Sequence, residues 1–261
     1  MKVSVIITSY NKPDYLKRVI HGLLLQTRIP NEIIVADDGS KEETSNLVQL
    51  FKKKCTNCKI VHVWQKDKGF RAARIRNLAI KKSKAEYLIF LDGDCIPEKH
   101  FVEDHIFFAK KGFFFQGKRI LIEKQLSKTF TFKDTLLKRK LFLSLLKGNI
   151  SNGHHIIRLP FIPVMENTKI SGTRTANLGV FKKDLYALNG FNEDFIGWGR
   201  EDSELVARLY NFGLKRKQHL FKAICFHLWH KENNRNNLEK NDILLEKTLF
   251  LGEYKCANGL E

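Results

Sequence analysis

The stretch Glu86-Tyr-Leu-Ile-Phe-Leu-Asp-Gly-Asp-Cys95 decides how this sequence is read. Residues 87–91 form a short, unbroken apolar run, the pattern of a strand buried on both faces. The run stops at Asp92, with Gly93 and Asp94 behind it. Carboxylates at the mouth of a buried strand cost free energy unless a cation meets them. Alternation along an extended chain points Asp92 and Asp94 to one side, where one divalent ion can lie close to both. Taken alone, Asp-Gly-Asp reads equally well as a solvated turn capped by its own aspartates. The flanking sequence has to decide.

Upstream, strands and helices alternate. Residues 2–8 are strand-like and rich in β-branched side chains, and Pro13 opens a helix whose Leu16, Val19, Ile20, Leu23 and Leu24 share one face. Residues 32–36 make a second strand, closed by Asp37-Asp38-Gly39-Ser40, and Ser40 with Glu43 has the spacing of a capping box for the next helix. Residues 59–64 form a third strand and 71–82 a helix with Ile75, Leu78 and Ala79 inward. Such alternation predicts an α/β fold with a mostly parallel central sheet flanked by helices. Ligands of such sheets lie beyond the carboxyl ends of the strands. Polar clusters stand there three times, at residues 8–11, at 37–38 and at 92–94.

The chain has neither G-x-G-x-x-G after its first strand nor G-x-x-x-x-G-K-[ST] anywhere, which argues against a nicotinamide-binding domain and a P-loop nucleotidase. Phosphate contacts then fall to an ion at Asp94 and to Arg71, Arg74 and Arg76, of which Arg71 and Arg76 are retained as candidates.

A chain of 261 residues with 43% hydrophobic content and 20 Phe can bury a full core. Its net charge of +18 calls for a polyanionic partner: nucleic acid, an anionic membrane surface, or a phosphorylated substrate. The five cysteines are scattered, and the single Cys55-Thr-Asn-Cys58 has no second pair to complete a zinc site, so reduced thiols are expected. Met1-Lys2 runs straight into a strand without a signal-peptide pattern, and no uncharged run reaches membrane-spanning length. A cytoplasmic protein, peripheral on the inner face of the membrane, is the expectation. Leu260 and Glu261 are assigned no role.

Residues 110–147 carry eleven Lys/Arg against Glu123 and Asp134 alone. Within them, residues 134–147 interleave Leu136, Leu137, Leu141, Phe142, Leu145 and Leu146 with Lys138, Arg139 and Lys140, as a basic amphipathic helix. Two readings stand: a helix lying on anionic lipid, or one packed on the sheet with its lysines in water. Residues 151–171 lack periodicity and read as a long loop holding His154, His155, Pro160 and Pro163; residues 215–227 read as one late strand.

A second constellation precedes that strand. Glu201 and Asp202 occupy the first turn of a helix, where free N–H groups favour ionised carboxylates. Before them, Gly197-Trp198-Gly199 combines a backbone free to bend with a flat apolar ring, the surface on which a sugar stacks. A carboxylate beside such a surface can deprotonate a hydroxyl. His227 and His230 end the late strand and offer imidazole ligands.

In order, Val5-Ile-Ile-Thr-Ser-Tyr-Asn-Lys12, Glu32-Ile-Ile-Val-Ala-Asp-Asp-Gly-Ser40, Leu91-Asp-Gly-Asp94 and Gly190-Phe-Asn-Glu…Gly197-Trp-Gly-Arg-Glu-Asp202…His227 resemble a family 2 glycosyltransferase of the GT-A fold, a Rossmann-like nucleotide-diphospho-sugar transferase. The later motifs are similar to the acceptor half of β-1,4-galactosyltransferases and chondroitin-polymerase-like enzymes. The resemblance implies a single catalytic domain over residues 1–235, with a nucleotide-sugar half (1–110), an acceptor half (111–235) that includes the basic insertion 110–170, and a tail (236–261). It implies that Thr8, Tyr10 and Asp38, beside Asn11, hold a nucleobase, usually uracil. Asp92 would lie at the ribose and metal, Asp94 and His227 would bind the metal, and Asp92 or His230 could share that task. Asp202 would be the catalytic base, and Trp198, Glu201 and Arg200 would meet the acceptor. Arg200 stands where relatives often carry a small residue.

The expected activity is inverting, metal-dependent transfer from a UDP-sugar to a hydroxyl of a glycan or glycolipid, in bacterial surface polysaccharide or lipopolysaccharide synthesis. Carboxylate-plus-imidazole ligation favours Mn²⁺ over Mg²⁺. Competing readings are a non-catalytic nucleotide-sugar or anionic-surface binding protein, and a nucleic-acid binder; the last lacks a recognisable motif, and no nucleic-acid partner is expected.

Overall fold

The computed structural model describes residues 1–159, 161–231 and 234–261; Pro160, noted above in the long loop, lies outside the described residues. The first half alternates strictly: β1 (Val3–Ser9), α1 (Pro13–Leu24), β2 (Glu32–Asp37), α2 (Glu42–Lys54), β3 (Lys59–Trp64), α3 (Ala72–Lys82) and β4 (Tyr87–Asp92). Then follow β5 (Cys95–Pro97), α4 (Phe101–Phe108), β6 (Phe113–Gln116), β7 (Lys118–Ile122), α5 (Lys124–Ser127), α6 (Phe132–Leu136), α7 (Lys138–Leu146), β8 (Ile150–Ser151) and a 3₁₀ turn at Gly153–Ile156. The chain closes with β9 (Met165–Asn167), β10 (Asn177–Phe181), α8 (Lys182–Ala187), α9 (Glu201–Asn211), β11 (Lys215–Gln218), β12 (Ile224–Leu228) and α10 (Leu238–Leu251).

The large sheet has the order β3-β2-β1-β4-β10-β6-β11-β9. It is parallel from β3 to β4, and β10 then enters antiparallel beside β4. Period-2 alternation explains the burial on both sides. Val5, Ile7, Ile89 and Leu91 face the layer of α1, whereas Ile6, Leu88 and Phe90 face that of α3 and α9. A second sheet, β5-β12-β7-β8, packs its Ile96, Ile120 and Phe226 into the α1 layer.

Several local expectations are revised. The late strand is two strands: β11 belongs to the large sheet and β12 to the small one, and the chain crosses between them through Ala223 at φ +50°. Ser40 and Glu43 form no capping box; the Ser40 hydroxyl instead accepts the Asn11 N–H at 2.8 Å, tying the ends of β1 and β2 together. The box forms at Thr131 and Asp134, where it opens α6. The basic helix is broken at Leu137 into α6 and α7. Within the long loop, β8, the 3₁₀ turn and β9 are ordered elements. Leu260, given no role from sequence, is buried in the α3 layer, and its N–H donates to Asn189 O at 2.9 Å.

Candidate functional site

Register builds the donor side of the site. Parallel pairing sets Thr8 opposite Asp92 and Ser9 opposite Asp37, so the polar ends of three strands open on one edge. There the Thr8 hydroxyl accepts from Arg76 Nε at 3.1 Å. Asn11, in the left-handed region at φ +47°, accepts the Lys41 N–H at 2.9 Å. Asp38 is buried; burial raises its pKa, while the Arg71 N–H (2.7 Å) and the Gln65 amide hold its oxygens. Arg71 thus meets Asp38 through its backbone, and its guanidinium donates to Lys66 O. Tyr10 is exposed and donates to Asp67 at 2.9 Å.

Asp94 sits just past Asp92 and gathers nitrogen donors. Antiparallel pairing of β5 with β12 places His227 opposite Cys95. His227 Nε2 then lies 3.6 Å from Asp94 Oδ1, with His230 Nε2 at 3.2 Å and Lys12 Nζ at 3.3 Å from Oδ2. One ligand atom each from Asp94, Cys95 and His227 lie within 4.8 Å of one another, a spacing that fits a single cation. Burial lowers the His227 pKa to about 4, so its ring is neutral at physiological pH and keeps a lone pair to donate.

The second acidic cluster arrives on α9. Gly197, Gly199 and Arg200 all have positive φ, turning the chain sharply into the helix. The loop is fastened from three sides. Gly197 N–H donates to Phe70 O at 3.0 Å, the buried Asn241 amide of α10 donates to Gly199 O at 2.9 Å and Ile196 O at 3.3 Å, and Arg200 pairs with Asp242. A side chain at Gly197 would collide with Asn237. Asp202 accepts the Thr175 N–H at 3.0 Å and the Thr175 hydroxyl. Glu201 is buried, and burial together with the charge of Asp202 lifts its pKa to about 7 against the pull of Arg76.

Arg76 joins the two halves. Only 4% exposed, it reaches Glu201 at 3.1 Å, Asp202 at 3.5 Å and Asp92 at 3.8 Å, besides Thr8. Asp92, raised to about 6 by burial and by Asp94, therefore shares a cation with acids more than a hundred residues away. Arg76 is thus committed to protein groups, and Arg74 pairs with Gln65 and Glu193 outside the cluster. A cavity of about 430 Å³ opens between the halves, lined by Tyr10, Asp38, Phe70, Trp198 and Asn237 among others. Trp198, half-buried with the Arg235 guanidinium 5.0 Å from its ring, faces the same space as Tyr10 and Asp38.

Of the residues singled out from the sequence, Tyr10, Asp38 and Trp198 share the cavity, Thr8, Asp92, Glu201 and Asp202 meet at Arg76, Asp94, His227 and His230 meet beside it, and Arg200 points to α10. Sequence reasoning missed Lys12, Thr175, Gln65 and Arg119, the last paired in register with Cys225 on the strand that carries His227. Lys12 stood in a flagged polar turn; Thr175 carried no local signal.

The sequence pattern of glycosyl transferase family 2 matches residues 4–159, and that described as the N-terminal domain of galactosyltransferase matches residues 162–231. Hyaluronan synthase of Pasteurella multocida is 30% identical over 228 residues, covering 81% of this chain and 23% of that protein. Chondroitin synthase of Escherichia coli is 28% identical over 228 residues, covering 81% and 32%. The chain therefore spans a third or less of the length of these two relatives. Among solved structures, S. aureus TarS 1–349 superposes with a TM-score of 0.65 at 17% identity over 97% of this chain and 65% of that one. The mannosyltransferase PcManGT from Pyrobaculum calidifontis, in complex with GDP-Man and Mn²⁺, gives 0.59 at 16% identity over 88% and 58%. These likenesses establish the GT-A fold expected from the sequence.

Proposed function

This chain belongs to glycosyltransferase family 2, and we propose that it is an inverting, divalent-metal-dependent transferase carrying a sugar from a UDP-sugar to a hydroxyl of a glycan or glycolipid, in the building of bacterial surface polysaccharide or lipopolysaccharide. The observation that carries this reading is the Arg76 bridge, which holds Asp92 of the donor strands and Glu201 and Asp202 of the acceptor helix around one guanidinium. Residues 1–235 form the catalytic unit in this reading, and α10 buttresses its acceptor loop.

The geometry supports one division of roles. Tyr10 and Asp38 border the cavity and receive the nucleobase, supported by Thr8 and Asn11; Arg71 and Asp92 lie towards the ribose and diphosphate. Asp94 and His227, with His230 alongside, hold the ion. Mn²⁺ suits a carboxylate with imidazoles better than Mg²⁺ does, and it is the ion in the PcManGT structure. A divalent cation there supplies charge stabilisation for the departing diphosphate. UDP is the favoured carrier, since TarS has been solved with UDP and with UDP-GlcNAc.

Asp202 acts as base. Thr175 fixes both of its oxygens, and Arg76 Nη1 lies 3.5 Å from one of them. It takes the proton of the acceptor hydroxyl as the oxygen bonds to the anomeric carbon and the bond to the diphosphate breaks, in one inverting displacement. Glu201, Trp198 and Arg200 shape the acceptor side.

A donor panel tests the reading: UDP-Gal, UDP-Glc, UDP-GlcNAc, UDP-GalNAc and GDP- and dTDP-sugars, with Mn²⁺, scored by nucleotide release with and without acceptor glycans. Asp202→Asn should lose about 10²–10⁴-fold in turnover while still binding UDP. Full turnover in that variant refutes the base assignment, and turnover indifferent to chelation refutes the ion.

A further inference from the structure

We propose that α6 and α7 form a docking surface for an anionic lipid bilayer. If α7 were an ordinary packed helix, its large apolar side chains would face the sheet and its lysines the water. Its lysines do face the water, but three of its five large apolar side chains face out as well. Leu141 is buried and Leu145 packs against the core, but Leu137 (52% exposed), Phe142 (57%), Leu143 (48%) and Leu146 (69%) face outward. At 100° per residue, Phe142, Leu146 and Leu143 fall within roughly one 100° arc. Arg139 lies inside that arc, and Lys147 borders it. Leu136, just before the break, is exposed as well, and so is Ile157 (58%), which follows the Ile156 carbonyl held by Lys138 at 2.8 Å.

The exposed charges of α6, α7 and the residue after them are all cations. Lys133, Arg139 and Lys147 are exposed. The single acid in α6 and α7, Asp134, is spent on the Thr131 cap and on Lys140. A nucleic acid would use the cations and leave the leucines in water, and an apolar protein groove would leave Arg139 buried without a partner. A bilayer interface takes both: acyl chains receive Phe142, Leu143 and Leu146, and phosphate headgroups meet Arg139, Lys133 and Lys147. Among the described residues no helix is long and apolar enough to cross a membrane. None of these residues lines the cavity at Tyr10 and Trp198, so binding is read independently of turnover.

The test is co-sedimentation of the full chain with phosphatidylcholine vesicles, with and without phosphatidylglycerol. The chain should bind the anionic vesicles, and less so as salt rises. Each Lys or Arg beside an anionic surface raises affinity about five-fold, so R139Q/K147Q should weaken binding about 25-fold. F142S/L146S should weaken it at least about ten-fold. Both pairs lie on the surface, so unchanged melting temperatures serve as the folding control. Equal binding to neutral vesicles, wild-type binding by F142S/L146S, or a solution dimer that this variant dissociates while no vesicle binding is seen would each overturn the proposal.

Discussion

Replacing Arg76 with methionine removes the charge that joins the two halves and keeps most of the side-chain volume. Glu201 and Asp202 then face each other and Asp92 without the cation that now stands 3.1 to 3.8 Å from all three. Taking one partner out of a buried ion pair costs about 3–5 kcal/mol, because the remaining charge is left uncompensated. For a chain of this size that is a fall in melting temperature of roughly 6–20 °C.

The pH dependence supplies the discriminating measurement. Glu201 has its pKa raised to about 7 in the folded chain, so it holds a proton there that the unfolded chain has released. Its contribution to stability therefore falls as pH climbs from the ordinary carboxylate range through 7. Arg76 pulls that value down, so its loss pushes it further up and steepens the fall. Urea denaturation at pH 8 and pH 5 should show a large deficit for Arg76→Met at the higher pH and a smaller one at the lower. Arg76→Met/Glu201→Gln should recover part of the loss at pH 8. A deficit below about 1 kcal/mol, or one equal at both pH values, would refute the claim that Arg76 compensates these acids.

Asp94→Asn should abolish the Mn²⁺-dependent rise in melting temperature with UDP, and His227→Ala should weaken it; an unchanged metal response in both places the ion elsewhere. Asn241→Ala leaves Ile196 and Gly199 carbonyls without their donor and should destabilise the loop by about 1–3 kcal/mol. Its kinetic mark is a higher KM for acceptor with UDP binding unchanged, and unaltered acceptor kinetics would contradict it. His105 is fully buried between Phe101 and Phe115, and burial lowers its pKa from 6.5 to about 4. Between those values the unfolded chain binds the extra proton, so this residue should remove about 3 kcal/mol of stability as pH falls through that window. An NMR titration midpoint near the ordinary histidine value would rule this out.

What the sequence disclosed depended on how local each determinant was. β1, β2 and β4 were legible because both faces of each strand are buried, which writes an apolar-rich run such as residues 87–91. The convergence of Thr8, Asp38 and Asp94 followed from parallel pairing, which puts all carboxyl ends on one edge. The Arg76–Glu201 contact spans 125 residues and leaves no periodic trace. Thr175 was equally silent, since its role is a hydrogen bond to a helix 27 residues on. The split between β11 and β12 was hidden because both segments have strand character and differ only in which sheet they join. Leu260 shows the same limit: one buried side chain in a polar tail has no pattern around it.

The distribution of cations among the acids also argues for how the work is divided. Asp92, Glu201 and Asp202 are served by one buried guanidinium that cannot leave and stays charged. Asp94 is served differently. Its neighbours are the Lys12 ammonium, 40% exposed on a flexible stem, and two imidazoles, of which His227 is held neutral. A permanent cation suits groups that must keep a fixed geometry through every turnover. A displaceable ammonium beside an uncharged imidazole suits a carboxylate that takes up an ion and releases it. Under the proposed function, Asp94 is the one of the four carboxylates placed to exchange an ion, and the other three share a permanent cation.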